Sequence, residues 1–101
     1  MSKGNRKVYI VNKGGHDFSA AKDYGKLIFL TRGTINRFAV SHMYRVLNSE
    51  LSKSDKYDYI LVTGLTTLVA VACSIFANKH GRLNLLLYKD KKYIERCIVF
   101  D

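Results

Sequence analysis

The sequence predicts a small α/β domain, a Rossmann-like mixed sheet of about five strands with two main helices and a C-terminal β-hairpin. Three observations lead there. Short runs rich in β-branched, aromatic and aliphatic residues (VYIV at Val8–Val11, LIFL at Leu27–Leu30, YILV at Tyr59–Val62) alternate with segments of helical period. Each run ends at a breaker that contains glycine: Asn12-Lys13-Gly14-Gly15, Thr31-Arg32-Gly33-Thr34 or Thr63-Gly64. The last two strand-like segments, Leu83–Tyr88 and Tyr93–Phe100, are separated by the polar turn Lys89-Asp90-Lys91-Lys92 and pair as an antiparallel hairpin at the sheet edge.

The elements follow in order. Val8–Val11 is a strand, and a short polar helix follows it, with Asp17 or Ser19 as cap and Gly25 as stop. Leu27–Leu30 is a continuous apolar run of the kind covered on both faces. From the cap Asn36, apolar residues Val40, Met43, Tyr44, Leu47 and Leu51 recur at helical spacing, giving one amphipathic helix. After Tyr59–Val62, Thr63-Gly64 opens a second helix that runs to about Lys79; it is apolar on nearly every side and is expected to lie buried. Gly81 ends it, and Lys79 and His80 suit the negative end of its dipole. Strand, helix, strand, helix, strand in this order implies right-handed crossovers and a parallel core.

The chain has 101 residues, 48% of them hydrophobic, and no proline, which fits one domain over 1–101 and argues against disorder and against a linker-separated second domain. Lys and Arg number 17 against 8 Asp and Glu, a net charge of +9. A surplus of that size favours an anionic partner, a nucleotide-like small molecule or alternatively a nucleic acid; plain solubility is the competing explanation. Cys73 and Cys97 lie in apolar segments without metal spacing and read as reduced core residues. The basic start, Met1 to Lys7, leads into an apolar run too short for a signal-peptide core. Leu65–Ala77, broken by two threonines and a serine, falls short of the roughly 18 residues of a membrane span. These readings place the protein in a cytoplasm, away from membranes.

In an open parallel sheet, ligands bind beyond the carboxyl ends of the strands. That rim collects Asn12 to Asp17, Thr31 to Arg37 and Thr63 to Thr67, rich in Gly, Thr, Asn and His, whereas the opposite rim carries ordinary charged connections. Thr63, Gly64, Thr66 and Thr67 join a buried strand to a buried helix, leaving backbone N–H groups and hydroxyls at a helix amino terminus that suits phosphate or carboxylate; capping by Thr63 or Thr66 is the alternative. Asn12, Lys13, Gly14, Gly15 and His16 form a loop able to wrap a nucleotide, although it is neither a dinucleotide fingerprint nor a P-loop. Arg32 and Arg37, flanking Gly33, are suited to phosphate or else are solvated charges.

His16 and Asp17 are the candidate acid–base pair, and a weak one, because sequence neighbours seldom face each other. His42 and His80 read as helix-surface and helix-end residues. No Cys/His/Asp/Glu cluster has metal spacing, and no cofactor is expected. Tyr88, Tyr93, Lys89, Lys91, Lys92 and Arg96 form a basic, aromatic patch around the hairpin, which either stacks bases or guards the edge strand against aggregation; the guard is favoured. Ala70, Cys73, Ser74 and Ala77 form a stripe of small residues that would let a second copy approach as a homodimer or higher oligomer, or would pack on the chain's own sheet.

The segments VYIVNKGGHDFSAAKDYG and HGRLNLLLYKDKKYIER resemble those of small α/β proteins encoded by bacteriophages. The resemblance implies a short basic protein acting inside an infected bacterium. Such proteins include antagonists of host immunity that bind or degrade nucleotide signals. Three functions are therefore carried forward: sequestering a phosphate-bearing nucleotide signal, cleaving such a signal with His16 as the acid–base group, and binding nucleic acid through net charge.

Overall fold

The computed structural model describes residues 5–36 and 38–100. Its elements are β1 (Lys7–Ile10), a 3₁₀ turn (Ser19–Asp23), β2 (Lys26–Phe29), α1 (Val40–Leu51), β3 (Tyr59–Leu61), α2 (Thr66–His80), β4 (Arg82–Lys89) and β5 (Lys92–Val99). They form one five-stranded sheet in the order β2-β1-β3-β4-β5. The first four strands are parallel, and β5 returns antiparallel to β4 over its full length. No described helix is long and apolar enough to cross a membrane.

Side-chain alternation splits the core into two layers. Tyr9, Val11 and Ile60 point to the face covered by both helices, where Met43, Leu47 and Leu51 of α1 meet Leu68, Ala72 and Phe76 of α2. Val8, Ile10, Tyr59, Leu61 and Leu86 point to the other face, which is covered by Phe18, Ala21 and Tyr93. β1 and β3 are central and buried on both sides, which is why their sequences are apolar without alternation. LIFL carries the same signal but stands elsewhere: β2 is an edge strand, and Leu27, Ile28 and Phe29 are only half-buried. Its outer side is covered by cations instead, with Lys13 and Arg32 over the Phe29 ring at 5.9 and 5.4 Å.

The helices begin later than their caps suggest. The Asn36 side chain accepts the N–H of Phe38, and Ala39 N–H closes onto Asn36 O, so an Asx-type turn precedes α1. Val40 and Tyr44, periodic with the core residues, are about half exposed because no third helix among the described residues covers the groove beside them. α2 buries Leu68, Val69, Ala72, Ile75 and Phe76, yet Ala70, Ser74 and Asn78 stay exposed, so it is covered on one side and not all round. Gly81 ends it at φ +68°, its N–H donating to Ala77 O.

Two local features bear on the stability of this fold. The hairpin turns through Asp90 (φ +54°) and Lys91 (φ +67°), a two-residue turn with both central residues left-handed and neither a glycine. A left-handed conformation costs a non-glycine residue about 1–2 kcal/mol, partly offset by the chain entropy that glycine loses on folding. Lys91→Gly is therefore expected to raise unfolding stability by about 0.5–1 kcal/mol, read as a higher denaturant midpoint at unchanged slope.

The second is His80, whose Nε2 lies 2.8 Å from Ser54 Oγ and whose ring packs on Phe76. Desolvation first, then the Lys79 charge, pushes its pKa below the ordinary 6.5. The unfolded chain then binds the proton first, so stability is full above about pH 6.5 and declines as the pH falls below it, until the native ring also protonates. Melting temperatures measured from pH 7.5 down to 5 should fall more shallowly for His80→Gln than for the natural chain.

Candidate functional site

Strand order fixes where the site can be. From β1 the chain crosses to β2 on one side, and β3 and β4 are added on the other, so the loops leaving β1 and β3 diverge. A crevice opens at the carboxyl ends of these two neighbours, the topological switch point where open α/β sheets bind ligands. It has two lobes, of about 350 and 380 Å3. His16, Phe18, Thr63 and Gly64 are common to both lobes.

The first lobe is built of loop backbone: Gly14 and Gly15 after β1, Gly33 and Ile35 after β2, and Leu65 at the start of α2. Asn12 holds these loops together. It is buried, its Nδ2 donates to Thr31 Oγ1 and Gly33 O at 3.0 Å each, and its Oδ1 accepts Gly14 N–H at 2.8 Å. Gly14 (φ +51°) and Gly33 (φ +73°) adopt the left-handed backbone that this clamp requires. At the third corner Thr63 Oγ1 accepts Leu65 N–H at 3.3 Å, and α2 starts with no side-chain cap. Thr66 N–H turns back onto Gly64 O at 3.0 Å, so only the later N–H groups of the first turn are left to solvent or to a ligand.

The second lobe is aromatic, lined by Tyr88, Tyr93 and Asp17 above Leu61 and Val62. Tyr88 and Tyr93 pack edge to face at 5.2 Å. Tyr93 is only 8% exposed, and its hydroxyl makes no hydrogen bond among the described residues; it is not sealed off either, because no buried polar atom there lacks a partner. Burial, then the Tyr88 and Asp17 charges, raises the Tyr93 pKa, so the hydroxyl stays a donor. Asp17 Oδ1 accepts Ser19 N–H at 2.9 Å, and this bond holds its carboxyl below the ordinary range.

The structure therefore brings together Asn12, Gly14, Gly15, His16, Asp17, Gly33, Thr63 and Gly64. Lys13 and Arg32 turn instead to the Phe29 ring at the sheet edge. Thr66 and Thr67 are exposed on the first turn of α2 and line neither lobe, because the helix begins two residues past Gly64. Arg37 lies outside the described residues. His16 and Asp17 are not hydrogen-bonded to each other; Asp17 serves the Ser19 turn, and the His16 ring lies 6.0 Å from that of Phe18. Phe18, Leu61, Val62, Tyr88 and Tyr93 are the lining residues that lie outside the rim segments read from the sequence. For the two tyrosines the signal was present, since they flank the hairpin turn, but nothing local says that this hairpin rises beside β3.

A larger concavity of about 1030 Å3 lies elsewhere, between α1 and α2, with Tyr44, Val71 and Ile75 among its apolar residues and Arg45 and Lys79 among its charged ones. No glycine loop reaches it, so it offers a docking face and not a cradle of backbone donors. The stripe of small residues divides there: Ala70 and Ser74 line this groove, whereas Cys73 packs against the core. Among the described residues no group of three or more His, Cys, Asp or Glu side chains is placed to hold a metal ion.

A family model described as phage Pam3 gp32-like protein matches residues 6–99. The chain belongs to the phage Pam3 gp32-like family. The matched span takes in every strand and helix and both lobes of the crevice. It is accordingly a small phage-encoded α/β protein. No curated protein and no solved structure matches the chain.

Proposed function

We propose that this phage Pam3 gp32-like protein acts in the cytoplasm of the infected bacterium, binding and sequestering a phosphate-bearing nucleotide signal of host immunity. The observation that carries the reading is the crevice at the β1/β3 switch point, where glycine backbone from the loops after β1, β2 and β3 surrounds the uncapped start of α2. The positive end of the α2 dipole favours an anion, and Gly14, Gly33 and Gly64 let the backbone come close to one. The net charge of +9 draws an anionic ligand toward the protein before specific contacts form.

Sequestration is favoured over cleavage by the chemistry in the crevice. General acid–base work needs a proton-transferring group oriented by a partner. Here the one imidazole that lines the crevice, His16, donates no hydrogen bond to Asp17, whose Oδ1 accepts the N–H of Ser19.

The test is retention. Purified protein is incubated with cyclic and ADP-ribose-type nucleotides, separated from free ligand, heat-denatured, and the supernatant analysed. Release of intact ligand is the expected result. A new product would make the protein an enzyme. No retained nucleotide, together with oligonucleotide binding that falls steeply with salt, would assign the charge to nucleic acid.

A further inference from the structure

The aromatic lobe differs chemically from the glycine lobe beside it, and on the reading above the two divide a nucleotide between them. The glycine lobe offers backbone, Asn12, His16 and Thr63, without a carboxylate. The aromatic lobe carries Asp17, an ionised acid that repels phosphate, so the phosphate lies in the first lobe and the second receives the other end of the molecule. A carboxylate is an acceptor only, and its partner must bring N–H or O–H donors.

Three surfaces in this lobe meet a planar ring. Tyr88 is 61% exposed and presents an open aromatic face, and Tyr93 packs edge-on to it at 63°, its hydroxyl without a hydrogen-bond partner among the described residues. Phe18 closes the side shared with the glycine lobe. Among the common bases, adenine and cytosine place an acceptor beside their exocyclic amine, and uracil flanks its N–H with two carbonyls. Each of these turns an acceptor toward Asp17. Guanine alone sets two adjacent donors, N1–H and N2–H, next to a carbonyl.

We propose that the aromatic lobe is a guanine-reading site: Asp17 accepts from N1–H and N2–H, the Tyr93 hydroxyl donates to O6, Tyr88 stacks on the ring, and the phosphate extends into the glycine lobe. The signal taken up is then a guanine nucleotide. Asp17 retains its bond from Ser19 N–H, because each carboxylate oxygen has two acceptor positions.

Calorimetry with GMP, AMP and ribose 5-phosphate on the intact protein tests this. GMP should bind at least about tenfold more tightly than AMP, the scale of a hydrogen bond to a charged group. Asp17→Asn keeps an acceptor for Ser19 N–H and so the loop; it should erase the preference for GMP while leaving ribose 5-phosphate unaffected. Tyr88→Ala should weaken both nucleotides by about tenfold and ribose 5-phosphate not at all. Equal binding of GMP and AMP, or GMP affinity undiminished in Asp17→Asn, would overturn the guanine site. If ribose 5-phosphate binds as tightly as GMP, the base lobe fails and the phosphate cradle stands. If none of the three probes binds, both fail.

Discussion

Gly25→Ala is expected to unfold most of the protein's margin of stability. Gly25 enters β2 at φ +156°, and a Cβ there would lie 2.3 Å from the carbonyl oxygen of Arg6 and 2.7 Å from its carbon. Both are backbone atoms of the segment leading into β1, so no side chain can swing aside. The same carbonyl accepts the N–H of Lys26 at 3.0 Å, the first hydrogen bond joining β2 to β1. Relieving the clash separates the strands at that point and gives up the bond, and the backbone strain is added to that loss. Together these amount to about 3 kcal/mol or more. For a domain of this size that is a fall in melting temperature of roughly 12 °C or more. Circular dichroism melts check it, and a variant melting within a few degrees of the natural chain would mean that β2 does not pair here as described.

Gly64→Val is expected to do the reverse, leaving the fold and removing the ligand. An added Cβ at Gly64 meets nothing within 4 Å, and its φ lies outside the left-handed region. The residue is exposed, lies in the loop between β3 and α2, and lines both lobes. A branched side chain placed there fills space that the ligand needs and buries no protein surface. The melting temperature should stay within a few degrees, and affinity for a retained nucleotide should drop by about a hundredfold, as expected when bulk occupies a preformed pocket and polar contacts are lost with it. Unchanged affinity in a well-folded Gly64→Val protein would move the site out of the crevice.

The two variants also mark what sequence can and cannot convey. The strand, turn and helix order was legible because each apolar run ends at a residue with a local conformational duty, as Gly81 and Gly14 have. The rim was legible for the same reason, since loops leaving parallel strands gather on one side. Lateral position was not: YILV and LIFL carry equal apolar signals, yet one is central and the other an edge half-covered by Phe18 and by the cationic groups of Lys13 and Arg32. Helix starts were off by two to four residues because Thr63 and Asn36 place their side chains in turns before the helix and not at its cap. Thr66 and Thr67 thereby rotate away from the crevice. The aromatic lobe was missed although the antiparallel return of β5 was legible, because nothing local places the Tyr88–Tyr93 pair beside Asp17, which is 76 residues before Tyr93 in the chain.

The claim that the β1/β3 crevice is the binding site is tested most directly by an amide-resolved NMR titration of the natural protein with a guanosine monophosphate. The account predicts that the largest shifts fall on the amides of Gly14, Gly15, Gly33, Gly64 and Leu65, with Tyr88 and Tyr93 following, while Arg6, Lys56 and Arg82 at the opposite rim and Tyr44 and Ile75 in the helix groove stay still. Shifts concentrated on the opposite rim or in the groove, or none at millimolar ligand, would contradict it.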